Sequence, residues 1–137
     1  MIVDTSAIIA LFVRAEPAHE SVAAAIADHH GRLVVSPLVL AEVDFLISTR
    51  ISPTAAVAAM RELSSGAWEL AGFGEEDLVD AMNVVERFPS LGIGATDASL
   101  VVLAHRYRTH AIATLDRRHF GALRAIDGKP FELVPAP

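Results

Sequence analysis

Four acidic residues occupy positions from which side chains could do chemistry. Asp4 follows the aliphatic pair Ile2-Val3, Glu42 sits inside the apolar run LVLAEVDFLI, Asp97 follows the glycine-containing LGIGAT, and Asp116 closes the segment HAIATLD. Each has an ordinary structural reading beside a chemical one. Asp4, Asp97 and Asp116 stand at or near the starts of helical segments, where an acid can cap the helix or offset its dipole. Glu42 is harder to account for, because on a helix its neighbours at i−4, i−3, i+3 and i+4 are Leu38, Val39, Phe45 and Leu46. A carboxylate on such a face must reach water, pair with a cation or take up a proton. Asp44 on the same segment competes with it for any functional role.

Brought together, the four acids need a counter-ion. At about 5 Å and an effective dielectric of about 20, each carboxylate pair repels by roughly 3 kcal/mol, and several such pairs would consume the roughly 5 to 15 kcal/mol by which domains are stable. A divalent cation removes the conflict. An all-oxygen donor set with positions left for water favours Mg2+ or Mn2+ over Zn2+. His19, His29, His30, His105, His110 and His119 show no ligand spacing and are read as surface or core residues. With no cysteine the chain has neither a disulfide framework nor thiolate chemistry, which fits a reducing compartment.

The elements that must position these acids can be read from hydrophobic pattern and punctuation. Strands are expected at Ile2-Val3, RLVVS (32–36), WELAGF (68–73), HAIATLD (110–116) and FELVP (131–135). Helices are expected over SAIIALFV (6–13), over 16–30 with Gly31 as its stop, from Ser36-Pro37 to about Arg50, from Ser52-Pro53 to about Ser64, over 75–88, from Asp97 through Arg108, and briefly over RRHFGAL. Serine followed by proline is a strong start, since serine caps and proline is preorganised for the first turn. Strands joined by helices form βαβ units, so the expected fold is a three-layer α/β/α arrangement around a mostly parallel sheet of four or five strands. Ligands in such sheets bind at the carboxyl ends of the strands, where Asp4 and Asp116 fall. If the first and fourth strands are neighbours, these two acids emerge side by side, with Glu42 and Asp97 arriving from flanking helices.

The 137 residues fit one domain, and no internal repeat or linker interrupts it. Although 53% of residues are apolar, no run reaches the roughly 18 needed to span a membrane. A signal peptide is not expected either, since the start lacks a basic segment and Asp4 breaks its apolar run. The net charge of −6 argues against binding nucleic acid by general attraction. That charge is uneven: residues 1–100 hold five basic and 14 acidic residues, a net of −9, whereas 101–137 hold six and three, a net of +3. The basic segment could touch phosphates locally, or be a solvated surface.

Taken in order, MIVDTS, SPLVLAEVDFLI, GIGATDASLVVLA and ATLDRRHF resemble the PIN domain, specifically the VapC toxins of bacterial toxin-antitoxin pairs. Each segment is short; their order across the whole chain carries the resemblance. It implies that Asp4, Glu42, Asp97 and Asp116 are catalytic, with Asp4 and Asp97 holding Mg2+ (or Mn2+) and Asp116 helping to hold it directly or through water. It implies that the hydroxyls of Thr5, Ser6 and Thr114 aim the carboxylates. Arg117 and Arg118, beside Asp116, would help hold substrate. The implied activity is a metal-dependent endoribonuclease yielding a 5′-phosphate and a 3′-hydroxyl. The implied partners are RNA, a VapB-like antitoxin and a second copy of the chain, in the cytoplasm. The helix from Pro37 is apolar almost all round, and it and the helix from Pro53 could contact a subunit or antitoxin, or be buried core. Few aromatics are available for base stacking, so a structured RNA or short exposed loop is the expected substrate.

Other readings fit less well. A phosphoacceptor receiver domain would want paired acids after the first strand and a closing helix, yet only six residues follow Phe131. A haloacid-dehalogenase-like phosphatase would want an acid at position 6, which is Ser6. A PIN fold used as a binding module, or as a processing nuclease without an antitoxin, remains the serious competitor.

Overall fold

The computed structural model describes residues 1–137. Five short strands alternate with seven α-helices: β1 (Ile2–Val3), α1 (Thr5–Phe12), α2 (His19–Ala27), β2 (Val34–Val35), α3 (Pro37–Arg50), α4 (Pro53–Leu63), β3 (Glu69–Leu70), α5 (Glu75–Arg87), α6 (Ala95–Arg106), β4 (Ala111–Ala113), α7 (Arg117–Ala122) and β5 (Glu132–Val134). The strands form one sheet of order β3-β2-β1-β4-β5 in which every pairing is parallel. The expected α/β/α layering therefore stands, and the sheet is wholly parallel. Ile2, Val3, Val34, Val35 and Ile112 are buried, as strands covered on both faces require. No helix is long and apolar enough to cross a membrane.

The strand order decides where a ligand can sit. From β1 the chain winds first toward β2 and β3, then on the other side to β4 and β5. The reversal lies between β1 and β4, whose register pairs Ile2 with Ile112 and Val3 with Ala113. In doubly wound sheets the crevice at this reversal, outside the strands' carboxyl ends, is the natural binding place.

Several elements are shorter than the sequence suggests, and the shortening frees site residues. The second helix starts at His19, not at Glu16. Pro17 disfavours helical backbone in the residue before it, which leaves Glu16 in the loop. The fourth strand ends at Ala113, so Thr114, Leu115 and Asp116 turn away from the sheet. The second strand ends at Val35, and Ser36 caps α3 through its Oγ, which accepts from the Leu38 N–H at 3.2 Å. Proline at the first position of α3 and α4 fits where the sequence places it.

Ser36 has a second task. Its side chain is fully buried and lies 2.8 Å from the Ser99 hydroxyl, which in turn donates to the Thr96 carbonyl at 2.6 Å. This hydroxyl pair ties the start of α3 to the first turns of α6, the two helices that carry Glu42 and Asp97. Along α3, Val39, Val43 and Ile47 pack into the core, while Phe45 stays 64% exposed.

Candidate active site

A pocket of about 300 Å3 opens at the β1/β4 reversal. Asp4, Glu42, Asp97 and Asp116 all line it, together with Thr5, Ser6, Glu16, Arg50 and three apolar side chains. Four acids separated by as much as 112 positions in sequence thus face one cavity.

Asp4 is held most firmly. It occupies the N-cap position of α1, yet its carboxylate makes no capping bond. Instead Oδ2 accepts from Ser6 Oγ at 2.8 Å and from Thr114 Oγ1 at 2.7 Å. Both hydroxyls are themselves oriented: the Leu115 N–H donates to Ser6 Oγ at 2.9 Å, and the Asp116 N–H donates to Thr114 Oγ1 at 3.0 Å. A hydroxyl has one proton, and with a backbone donor behind each oxygen that proton is free to point at Asp4. Oδ1 carries no protein hydrogen bond. Thr5 behaves differently from the other two hydroxyls, because its Oγ1 is buried without a partner and does not touch Asp4.

Asp116 does two things. Its Oδ1 caps α7 by accepting from the His119 N–H at 2.9 Å, so the cap reading is realised. Its Oδ2 lies 2.9 Å from His119 Nδ1, and the same nitrogen is 3.4 Å from Asp97 Oδ2. His119 therefore stands between two of the acids, contrary to the expectation that the histidines are bystanders. The signal was present as an i, i+3 spacing from Asp116 on a short helix following a strand end. Asp97 lies in the first turn of α6 without capping it. Burial, then the negative charges of Asp4, Asp116 and Glu42, push its carboxyl up to about 6, with His119 acting in the opposite direction.

Glu42 projects from α3 on the same face as Leu46 and Arg50, at i+4 and i+8. It is exposed and has no ion pair or hydrogen bond to the protein. Arg117 and Arg118 do not line the pocket; the Arg117 guanidinium donates to the Pro135 carbonyl. Sequence reasoning missed Arg50 and Glu16, which reach the pocket only through the packing of α1 against α3.

The donor set is all oxygen and suits a hard divalent cation. No three acidic or histidine groups already converge as a closed chelate. Mg2+ tolerates this, since it usually binds through one or two carboxylates and keeps its remaining waters.

Beside this pocket lies an apolar groove of about 670 Å3, shaped by Phe12, Ile47, Ile51, Ala55 and Ala59 with Arg14 and Glu62 among its polar lining. Ile47 and the α3 C-cap residue Ile51 directly follow Leu46 and Arg50 of the acid pocket, so groove and acid pocket flank the same end of one helix.

The family model described as PIN domain matches residues 1–126. The chain belongs to the PIN-domain family. It is 50% identical over 135 residues to Ribonuclease VapC26 of Mycobacterium tuberculosis, a match covering 98% of this chain and all of that protein. Among solved structures, M. tuberculosis VapC20, a sarcin-ricin loop cleaving toxin, aligns with a TM-score of 0.80 at 20% identity, covering 91% of this chain and 97% of that one. VapBC2 from Rickettsia felis, bound to a promoter DNA fragment, aligns with a TM-score of 0.70 at 14% identity, covering 96% of each chain. These two likenesses concern the fold of the PIN domain.

Proposed function

We propose that the acid pocket is the metal-loaded hydrolytic centre of a VapC-type endoribonuclease that acts as the toxin of a toxin-antitoxin pair. Endoribonuclease and toxin follow from the PIN family and from half-identity with Ribonuclease VapC26 over nearly the whole chain. The observation that supports the chemistry is the convergence of Asp4, Glu42, Asp97 and Asp116 at the sheet reversal.

Asp4, Asp97 and Asp116 would hold Mg2+, with Mn2+ able to substitute. When bound, such a cation supplies charge neutralisation at phosphoryl oxygens and lowers the pKa of water. The chain's own contributions follow from its geometry. Ser6 and Thr114 fix one oxygen of Asp4 and leave the other free to bind. Asp97, whose carboxyl is pushed up to about 6 by burial and then by the neighbouring acids, gains from a cation beside it. Glu42, unpaired and exposed, would orient or deprotonate an attacking water, giving a 5′-phosphate and a 3′-hydroxyl.

The groove beside the pocket would seat an amphipathic segment of a VapB-like antitoxin, since it is apolar and adjoins the acids that must be blocked. The chain would act as one domain over 1–137, as a homodimer, in the cytoplasm, on a structured RNA or a short exposed loop.

The test is cleavage of total RNA by purified protein with Mg2+, Mn2+ or EDTA, beside folded Asp4→Asn and Asp97→Asn variants. Discrete cuts that vanish with EDTA and in both variants support the reading. A 2′,3′-cyclic phosphate product, or cuts that survive both substitutions, would sink it.

A further inference from the structure

An acidic pocket that binds a polyanion gains from a fixed cation beside any metal, and no lysine or arginine of the basic C-terminal segment lines it. Arg106 is committed to Asp77 and to the Gly72 carbonyl, Arg117 to the Pro135 carbonyl, and Arg124 to the carbonyls of Gly121, Ala122 and Leu123. Of the 11 lysines and arginines, Arg50 is the one that lines the acid pocket. Five carboxylates line the same cavity, counting Glu16, yet none lies within ion-pair distance of Arg50, and its guanidinium makes no hydrogen bond to the protein. An exposed arginine with all its donors free, beside that much negative charge, is available to something else.

We propose that Arg50 binds a backbone phosphate of the RNA substrate next to the one that is cut. This assignment rests on the endoribonuclease reading. A guanidinium offers two parallel N–H donors that match two non-bridging phosphate oxygens, a geometry lysine cannot reproduce. Arg50 lies eight residues beyond Glu42 on α3, roughly 12 Å along the helix axis at about 1.5 Å per residue. That separation along the helix favours a flanking phosphate over the one that Glu42 would serve. The expected consequence is a residue that acts on binding far more than on chemistry.

The test uses the full chain with Asp4→Asn in the background, so that RNA is bound but not cut. A fluorescein-labelled RNA hairpin with a mixed-sequence loop serves as probe, read by anisotropy over a salt series in Mg2+. Adding Arg50→Ala should weaken binding about tenfold and flatten the plot of log K against log salt by about 0.7 to 0.9, the loss of one phosphate contact. Arg50→Lys should keep most of the slope while losing several-fold in affinity, and Arg124→Ala should leave both unchanged. In the cleavage-competent protein, Arg50→Ala should raise KM about tenfold while kcat falls by less than threefold. Unchanged affinity and slope in Arg50→Ala, with losses in Arg117→Ala or Arg118→Ala, would move the contact to α7 and overturn the proposal. A kcat loss larger than the KM change would do the same by placing Arg50 at the reacting phosphate. No binding by the Asp4→Asn protein with Arg50 intact, together with no EDTA-sensitive cleavage by wild type, would instead sink the nuclease reading and this assignment with it.

Discussion

Replacing Asp97 by asparagine should make the metal-free protein more stable at neutral pH. The carboxyl of Asp97 is pushed from 3.8 up to about 6 by burial and by three neighbouring acids. Because its folded-state value is raised, the folded protein holds this proton more tightly than the unfolded chain does. Stability from this group is therefore highest below pH 3.8 and falls as pH rises through about 6. Carrying the charge at pH 7.5 costs the folded state up to about 3 kcal/mol, at about 1.4 kcal/mol per pH unit of displacement. The side chain keeps 23% of its exposure, so solvent screening lowers this to about 1 to 2 kcal/mol. For a chain of this size that corresponds to roughly 3 to 7 °C in Tm. The assay is urea and thermal unfolding of wild type and Asp97→Asn in EDTA from pH 3.5 to 8. The gain should be near zero at the acid end and complete above about pH 6.5. Adding Mn2+ at about 100 times its Kd should stabilise wild type by about 2.7 kcal/mol and leave the variant unmoved. A variant less stable than wild type at pH 7.5 in EDTA, or a gain that does not change with pH, would refute the electrostatic account of the pocket.

Other substitutions probe the parts around it. Thr114→Val keeps the shape of a fully buried side chain but removes a donor to Asp4 and the acceptor for the Asp116 N–H; stability should fall by about 1 to 3 kcal/mol, and calorimetry should find Mn2+ affinity lower by about 10 to 100-fold. A double-mutant cycle of Ser36→Ala and Ser99→Ala should give a coupling of about 0.5 to 3 kcal/mol, and additivity would show that the hydroxyl pair does not tie α3 to α6. Ile51→Arg places a charge in the apolar groove at a residue 53% exposed, so it should fold, cleave RNA and fail to bind antitoxin in a pull-down; undiminished capture would place the antitoxin elsewhere.

Local chemistry made much of this protein legible in one dimension. Ser36-Pro37 and Ser52-Pro53 mark helix starts because capping and a preset backbone angle act within a few residues. Ile2-Val3 and AIA read as strands because their side chains suit a sheet covered on both faces. The four acids stood out because three follow strand ends or open helices and Glu42 breaks an apolar face. Ser6 sits so near Asp4 in the chain that their partnership could be expected.

Contacts between distant segments were decided by packing. The pairing of β1 with β4 sets Asp4 beside Thr114, a relation spanning 110 positions that no local pattern encodes. Glu16 enters the pocket because Pro17 delays the second helix, and Arg50 because α3 turns that face toward α1. His119 lies between two acids because the fold brings Asp97, 22 positions earlier in the chain, within 3.4 Å of it. Arg117, three residues from Thr114 and next to Asp116, was drawn away by the Pro135 carbonyl. Residue type and spacing thus determined which groups could do the chemistry and roughly where the backbone would offer them. Which cation faces the acids, and which hydroxyl touches which carboxylate, depended on the assembled sheet, because side-chain direction is set by neighbours far away in sequence.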